Sequence, residues 1–120
     1  MTEILIKRLS KNISLPKYKT DGSSGMDIVA NNDKLINLEP GETALIPTGI
    51  SVAIPKNFEL QLRPRSGLAA KSQISILNTP GTIDSDYRGE IKIILINLSD
   101  KSFIVEKGLR IAQMVLCPVI

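Results

Sequence analysis

Apolar residues alternate with small or polar residues through the middle of the chain. One face of an extended segment would carry Ile46, Thr48, Ile50, Val52 and Ile54, and the other Pro47, Gly49, Ser51 and Ala53. Successive side chains of a β-strand point to opposite faces, so a period of two is strand spacing. The pattern predicts a strand across residues 46–54.

Two later runs are apolar at nearly every position. They are Ile91–Leu98 and Ile111–Leu116, interrupted only by Lys92, Asn97 and Gln113. Such runs are typical of strands that are covered on both faces. We expect a partner sheet or a partner subunit to cover them.

Glycine and proline separate these runs at regular intervals. Turns are predicted at Glu39-Pro40-Gly41, at residues 54–57 and at Lys107-Gly108. One short helix is predicted at Ser66–Lys71, with Ser66 as its N-cap. Many short strands between turns indicate an all-β sandwich or barrel with one short helix.

Composition agrees with this fold class. The 120 residues are 42% hydrophobic and 22% charged, as in one globular domain, so residues 1–120 are expected to form a single folding unit. Aromatic residues make up only 3% and tryptophan is absent, so Ile, Leu and Val must fill the core. Their branched members favour strands.

Charge and cysteine content narrow the partners and the compartment. The net charge of +3 comes from scattered Lys and Arg residues, which predicts a small polyanion rather than nucleic acid as partner. Cys117 is the only cysteine, and its apolar neighbours predict a buried structural thiol in a reducing cytoplasm. Neither a signal peptide nor a membrane-spanning stretch is present, so we expect a soluble cytoplasmic protein without a membrane partner.

The chain has no histidine and no cysteine pair. A Ser-His-Asp triad and a His/Cys metal cage are therefore excluded. Magnesium held mainly by the phosphates of a substrate remains compatible with the sequence.

Arg63-Pro64-Arg65-Ser66-Gly67 is the first polar cluster. It combines two guanidinium groups and a hydroxyl with the amides at a helix start, a combination that binds phosphate oxygens. The alternative is an edge strand with solvated arginines and an ordinary Ser cap.

The second cluster is the polar segment Asn78–Gly89 between two apolar runs, predicted as a long ordered hairpin. Asp84, Asp86, Tyr87 and Arg88 offer a base, a flat surface for a sugar or nucleobase, and an anion contact, which points to a nucleotide. The alternative is that the two carboxylates bond loop amides while Tyr87 closes a small satellite core.

Two further clusters contain one notable polar residue each. Asp27 follows the small residues Ser23-Ser24-Gly25, and it either holds magnesium through water or caps the start of a strand. Gln113 lies among apolar residues after the turn at Gly108, and a buried amide needs partners that phosphate could supply.

These four clusters, in this order, resemble the first four motifs of the trimeric dUTP pyrophosphatases (dUTPases). The matching segments are Ser24-Gly25-Met26-Asp27, Pro64-Arg65-Ser66-Gly67-Leu68-Ala69, Gly81-Thr82-Ile83-Asp84-Ser85-Asp86-Tyr87-Arg88-Gly89 and Gly108-Leu109-Arg110-Ile111-Ala112-Gln113. The second and third are highly specific. The resemblance implies a distorted β-barrel or jelly-roll protomer in a homotrimer, with active sites that draw on all three chains.

The resemblance also implies the reaction. A Mg²⁺-dependent enzyme would cut dUTP to dUMP and pyrophosphate by in-line attack of water at the α-phosphorus. This activity would limit uracil incorporation into DNA and supply the precursor of dTTP. Asp84 would activate the water and contact the 3′-hydroxyl, and Tyr87 would pack on the deoxyribose and exclude ribose.

The remaining roles follow residue by residue from the same resemblance. Uracil would be read by Asn78 and by the hairpin around Thr82, Ile83 and Lys92. The phosphates would be bound by Arg65, Ser66, Gly67 and Gln113. Asp27 would hold magnesium through its water shell.

One departure keeps other functions open. The family continues into a glycine-rich fifth motif, which is absent from the sequence shown, so a nucleotide-binding module of this fold with little turnover is one alternative. A relative of dCTP deaminase is a weaker one, because that family carries a catalytic Glu where this chain has Ile94. A purely structural jelly roll would leave Asp84, Tyr87, Arg65 and Gln113 unexplained.

Overall fold

The computed structural model describes residues 2–120, and within them it contains eleven strands and one helix. In chain order the elements are β1 (Leu5–Arg8), β2 (Met26–Val29), β3 (Ile36–Leu38), β4 (Thr43–Pro47), β5 (Ile50–Ala53), β6 (Phe58–Arg63), α1 (Ser66–Ser72), β7 (Ile74–Ile76), β8 (Gly81–Ile83), β9 (Lys92–Asn97), β10 (Phe103–Val105) and β11 (Arg110–Pro118). All strand pairs are antiparallel. The predicted all-β fold with one short helix is confirmed.

Two larger sheets and two strand pairs enclose one apolar core. The larger sheets have the orders β2-β11-β6-β8 and β4-β9-β7, and the pairs are β1-β5 and β3-β10. Both larger sheets contribute aliphatic side chains, such as Leu60 and Met114 from one and Ile46 and Ile93 from the other, to a single buried cluster. Aliphatic packing therefore replaces the missing aromatic core, as predicted.

The two apolar runs differ in how far one protomer covers them. In β11, Ala112 and Met114 are buried, and so are Ile111 and Val115. In β9, Ile93 and Leu95 are buried, but Ile94 on the opposite face is only half-buried. Coverage of this second β9 face by a partner subunit stays a prediction.

The predicted continuous strand over residues 46–54 is wrong, because the chain changes sheets in its middle. β4 pairs with β9, whereas β5 pairs with β1. Gly49 lies between them with φ = 72°, a left-handed conformation that glycine adopts without strain. A Cβ at this position would collide with Ile13 Cδ1 and lie 2.7 Å from Asn31 Nδ2. The five residues predicted for the apolar face are all buried, but Gly49 and Ser51 between them are buried as well, so burial does not alternate across the break.

The N-cap of the helix lies one residue earlier than predicted. Arg65 is the N-cap residue, it makes no capping side-chain hydrogen bond, and Ser66 is the first helical residue. The predicted Ser66 cap is therefore wrong. The three predicted turns are confirmed, with positive φ at Gly41, Asn57 and Gly108.

Asn78–Gly89 joins two antiparallel partners, as predicted for a hairpin, but it is not a simple loop. Its residues 81–83 form β8, which pairs with β6 in the four-stranded sheet, while the flanking strands β7 and β9 pair with each other. The segment therefore crosses from one large sheet to the other. The predicted hairpin did not include this crossing, because β8 has only three residues and is too short to show the two-residue alternation of a strand.

Two smaller findings concern the cysteine and the length of the helix. Cys117 is half-buried rather than buried, and its thiol is free. No helix within residues 2–120 is long and apolar enough to cross a membrane.

Gly49→Ala tests the interpretation of the strand break. We expect it to lower the free energy of unfolding by about 2 kcal/mol or more, because alanine is strained at this φ and collides with Ile13. Gly22→Ala is the matched control, since a Cβ there would meet nothing within 4 Å. Urea denaturation with equal midpoints for the two variants would contradict the interpretation.

Candidate active site

The register of the four-stranded sheet places three polar residues in one row. Asp27 of β2 is paired with Gln113 of β11, and Gln113 is paired with Arg63 of β6. Directly paired residues of neighbouring antiparallel strands lie on the same face. A pocket of about 290 Å³ lies at this position, lined by Lys17, Lys19, Ser23, Ser24, Gly25, Asp27, Arg65, Ser66, Gly67 and Gln113.

Asp27 joins two arginines at the pocket. Its Oδ1 accepts a hydrogen bond from Arg65 Nε at 3.2 Å, and its Oδ2 lies 3.5 Å from an Arg110 terminal nitrogen. Because Asp27 binds Arg65 through Nε, the terminal nitrogens of Arg65 stay available for an anion. Neither alternative considered for Asp27 included these ion pairs, and its position inside β2 is not that of a strand-start cap.

A β-bulge brings Arg110 to this face. The register between β11 and β2 shifts between Arg110 and Ala112, so that Arg110 is paired with Val29 and Ala112 with Ile28. Without the extra residue, strand alternation would put Arg110 on the face opposite to Gln113. Bulges re-aim side chains in this way near functional sites.

Gln113 has a backbone partner as well as a place in the pocket lining. Its Nε2 donates to the Pro64 carbonyl at 3.1 Å, which ties β11 to the residue before Arg65. Its Oε1 faces Gly25, where a Cβ would approach to 2.5 Å. A primary amide has two N–H donors, so the second remains available to a ligand in the pocket.

The loop after β8 presents its chemistry to solvent. Asp84 and Asp86 are exposed, and within residues 2–120 neither carboxylate accepts a hydrogen bond from the loop. The loop is closed instead by the Tyr87 amide, which donates to the Asp84 carbonyl at 3.1 Å, and by Arg88, which donates to the Ser85 carbonyl at 2.7 Å. The amide-bonding alternative for the two carboxylates is therefore wrong.

Tyr87 is held in place but not buried. Its hydroxyl donates to the Glu90 carbonyl at 2.9 Å, and its ring lies so close to Gly89 that a Cβ there would collide with it. The side chain is 43% exposed, so it does not close a satellite core. A fixed, exposed aromatic face suits packing against a sugar.

The predicted site residues fall into two groups. Five of them line the pocket: Asp27, Arg65, Ser66, Gly67 and Gln113. The other six do not: Asn78, Thr82, Ile83, Asp84, Tyr87 and Lys92. β2 and β8 are opposite edges of the sheet, three strand spacings or roughly 14 Å apart, so one protomer does not bring Asp84 to Asp27.

The residues of the pocket fit a magnesium ion only if phosphate groups of a substrate and water supply most of its ligands. Within residues 2–120 no group of three or more His, Cys, Asp or Glu side chains could form a cage for a metal ion. Asp27 is the single carboxylate of the pocket, and both its oxygens face guanidinium groups. Magnesium commonly keeps several waters and binds through substrate phosphates and one or two carboxylates, which is the donor set available here.

Sequence reasoning missed two lysines of this region and the way in which Arg110 reaches it. Lys17 and Lys19 line the pocket, and Arg110 reaches it through the bulge. The spacing Lys17-Tyr18-Lys19, two like charges on one face of an extended segment, was a usable signal. Nothing in the sequence indicated the bulge.

Comparison with known proteins gives one consistent family. The sequence model of the dUTPase family matches residues 11–120. A deoxyuridine 5′-triphosphate nucleotidohydrolase of Rickettsia felis is 56% identical over 117 residues, which are 97% of this chain and 79% of that protein. The enzyme of the same name from Rickettsia prowazekii is 56% identical over 115 residues, 95% of this chain and 78% of that protein.

Solved structures agree in fold. The dUTPase of Staphylococcus bacteriophage 80alpha superimposes with a TM-score of 0.87 at 30% identity, covering 98% of this chain and 91% of that one. The same phage enzyme with bound dUpNHpp gives a TM-score of 0.87 at 30% identity, covering 98% of this chain and 83% of that one. The dUTPase-like form of the β fold is thereby confirmed.

Proposed function

The chain belongs to the dUTPase family and is a dUTP diphosphatase, and we propose that its two groups of polar residues divide the binding and hydrolysis of dUTP between them. The enzyme cuts dUTP to dUMP and pyrophosphate. The observation that carries the division of roles is the separation of the cationic pocket at one sheet edge from the loop of Asp84 and Tyr87 at the other.

The loop handles the deoxyuridine and the attacking water. Asp84 has an exposed carboxylate without a hydrogen bond from its own loop, so it is free to take a proton from the attacking water and to accept a hydrogen bond from the 3′-hydroxyl. The fixed ring of Tyr87 packs on deoxyribose, where an added 2′-hydroxyl would clash. Asn78 and the backbone of Thr82, Ile83 and Lys92 read the edge of uracil.

The pocket handles the triphosphate. Phosphate oxygens are bound by Arg65, Ser66, Gly67 and Gln113. Asp27 orients Arg65 by accepting the hydrogen bond from its Nε. Asp27 would hold Mg²⁺ through its water shell, and the bound ion would supply charge neutralisation and alignment of the phosphates. A dUTPase of the S. aureus phage phi11, a fold relative, is described with a structural Mg(II) ion.

Two features support a homotrimer with shared sites. Within the described protomer, none of the loop residues Asn78, Asp84 and Tyr87 lines the pocket that holds Arg65 and Gln113. The open face of the three-stranded sheet also carries an apolar row, in which Ile94 is paired with Leu45 and receives a hydrogen bond on its carbonyl from the Leu77 amide. Leu45 is 56% exposed and Leu77 54%. A second copy of the chain would cover this row.

The proposal also includes a cytoplasmic location and argues against deamination and nucleic-acid binding. Each protomer is one folding unit, and the free thiol of Cys117 suits the cytoplasm, where deoxynucleotides are consumed. Ile94 lies in an apolar row without a carboxylate, which is the specific observation against deamination. No nucleic acid is needed as partner.

Asp84→Asn tests the assignment of the base. We expect turnover of dUTP to fall about 10²-fold or more while binding of a non-hydrolysable dUTP analogue stays nearly unchanged, because the substitution removes proton acceptance and little else. The readouts are pyrophosphate release and calorimetry. Asp86→Asn, in the same exposed loop, is the control and should retain turnover. Equal turnover in the two variants would remove Asp84 from this role.

Leu45→Glu tests the trimer. A carboxylate in the apolar row should shift the protein from trimer towards monomer in light scattering at micromolar concentration, because burial of an unpaired charge between subunits is costly. Leu35→Glu is the control, since Leu35 is 67% exposed and lies outside the row. A wild-type chain that is monomeric at this concentration would refute the proposal.

A further inference from the structure

Lys17 and Lys19 line the cationic pocket, and the roles proposed above use neither side chain. Both lie in the irregular segment that precedes β2, and both are exposed. Their backbone position is nevertheless fixed relative to the pocket. Tyr18, the residue between them, forms an antiparallel bridge with Met26 at the start of β2.

This bridge aims both lysines at the same place. In an antiparallel register, pairing of Tyr18 with Met26 sets Lys17 opposite Asp27 and Lys19 opposite Gly25. Residues two apart in an extended segment share a face, so both lysines lie on the face of Asp27 and Tyr18 lies on the other. Lys17 therefore extends the row that runs through Asp27 and Gln113 towards β6.

The charge of the two lysines is not consumed by the protein. Asp27, the only acidic residue of the pocket, is already paired with Arg65 and Arg110. Within residues 2–120 neither lysine takes part in an ion pair. The two lysines therefore give the pocket positive charge in addition to that of Arg65 at the start of the helix.

We propose that Lys17 and Lys19 bind the outer phosphates of the dUTP triphosphate and thereby make the enzyme prefer its substrate to its product dUMP. The proposal rests on the function proposed above. A triphosphate has the length and the charge to reach from Ser66 and Gly67 to the lysine segment, whereas the single phosphate of dUMP engages one end only. Hydrogen bonds to a charged phosphate are among the strong ones in proteins.

The test compares two double variants with the same change in charge. Lys17→Gln with Lys19→Gln removes the proposed contacts, and Lys56→Gln with Lys107→Gln removes two exposed lysines that do not line the pocket. A non-hydrolysable dUTP analogue and dUMP are each titrated by calorimetry in the presence of Mg²⁺. Thermal unfolding checks that both variants fold as the wild type does.

We expect the dissociation constant of the analogue to rise about 10-fold or more in the pocket variant, and that of dUMP by less than about 2-fold. The control variant should change either constant by less than about 2-fold. Equal losses of analogue affinity in both variants, or equal losses for analogue and dUMP in the pocket variant, would overturn the proposal. A wild-type chain that releases no pyrophosphate from dUTP would instead overturn the proposed function.

Discussion

The pairing of β11 between β2 and β6 determines where the phosphate-binding groups lie. It sets Asp27, Gln113 and Arg63 in one row, and a slip of β11 by one residue would send Gln113 to the opposite face. Burial of Ile111, Ala112, Met114 and Val115 makes such a slip costly, because their apolar surface would be displaced from the core. The packing of an aliphatic core therefore fixes the geometry of a polar site.

Within this frame, Asp27 organises the pocket rather than stabilising the fold. Its ion pairs are partly exposed, with 31% of the Asp27 side chain and 48% of the Arg110 side chain accessible, so each contributes little to stability. Their effect is to hold Arg65 by its Nε before any anion arrives, which lowers the conformational cost of binding. The bulge before Ala112 serves the same end, since it turns Arg110 to the pocket face.

The sequence allowed much of this to be predicted, and the failures have definite physical causes. The alternation of apolar residues and the turn glycines predicted the strands, but the break at Gly49 depends on its close approach to Ile13 and Asn31, which are distant in sequence. The motifs contain the five predicted site residues that line the pocket, whereas the other six predicted site residues lie outside it. The motifs could not reveal that Asp27 binds two arginines or that Gln113 bonds the Pro64 carbonyl, because those contacts depend on strand register and on a bulge without a sequence signature.

The division of the site between two sheet edges is the central claim, and subunit mixing tests it most directly. Chains carrying Arg65→Ala and chains carrying Asp84→Asn would each be nearly inactive alone. When the two are unfolded together and refolded as an equal mixture, about a quarter of the sites should combine an intact Arg65 from one chain with an intact Asp84 from another, and pyrophosphate release should recover to that fraction of the wild-type rate. Mixed oligomers that form but recover no activity would show that both residues of a site come from the same chain, which would contradict the account.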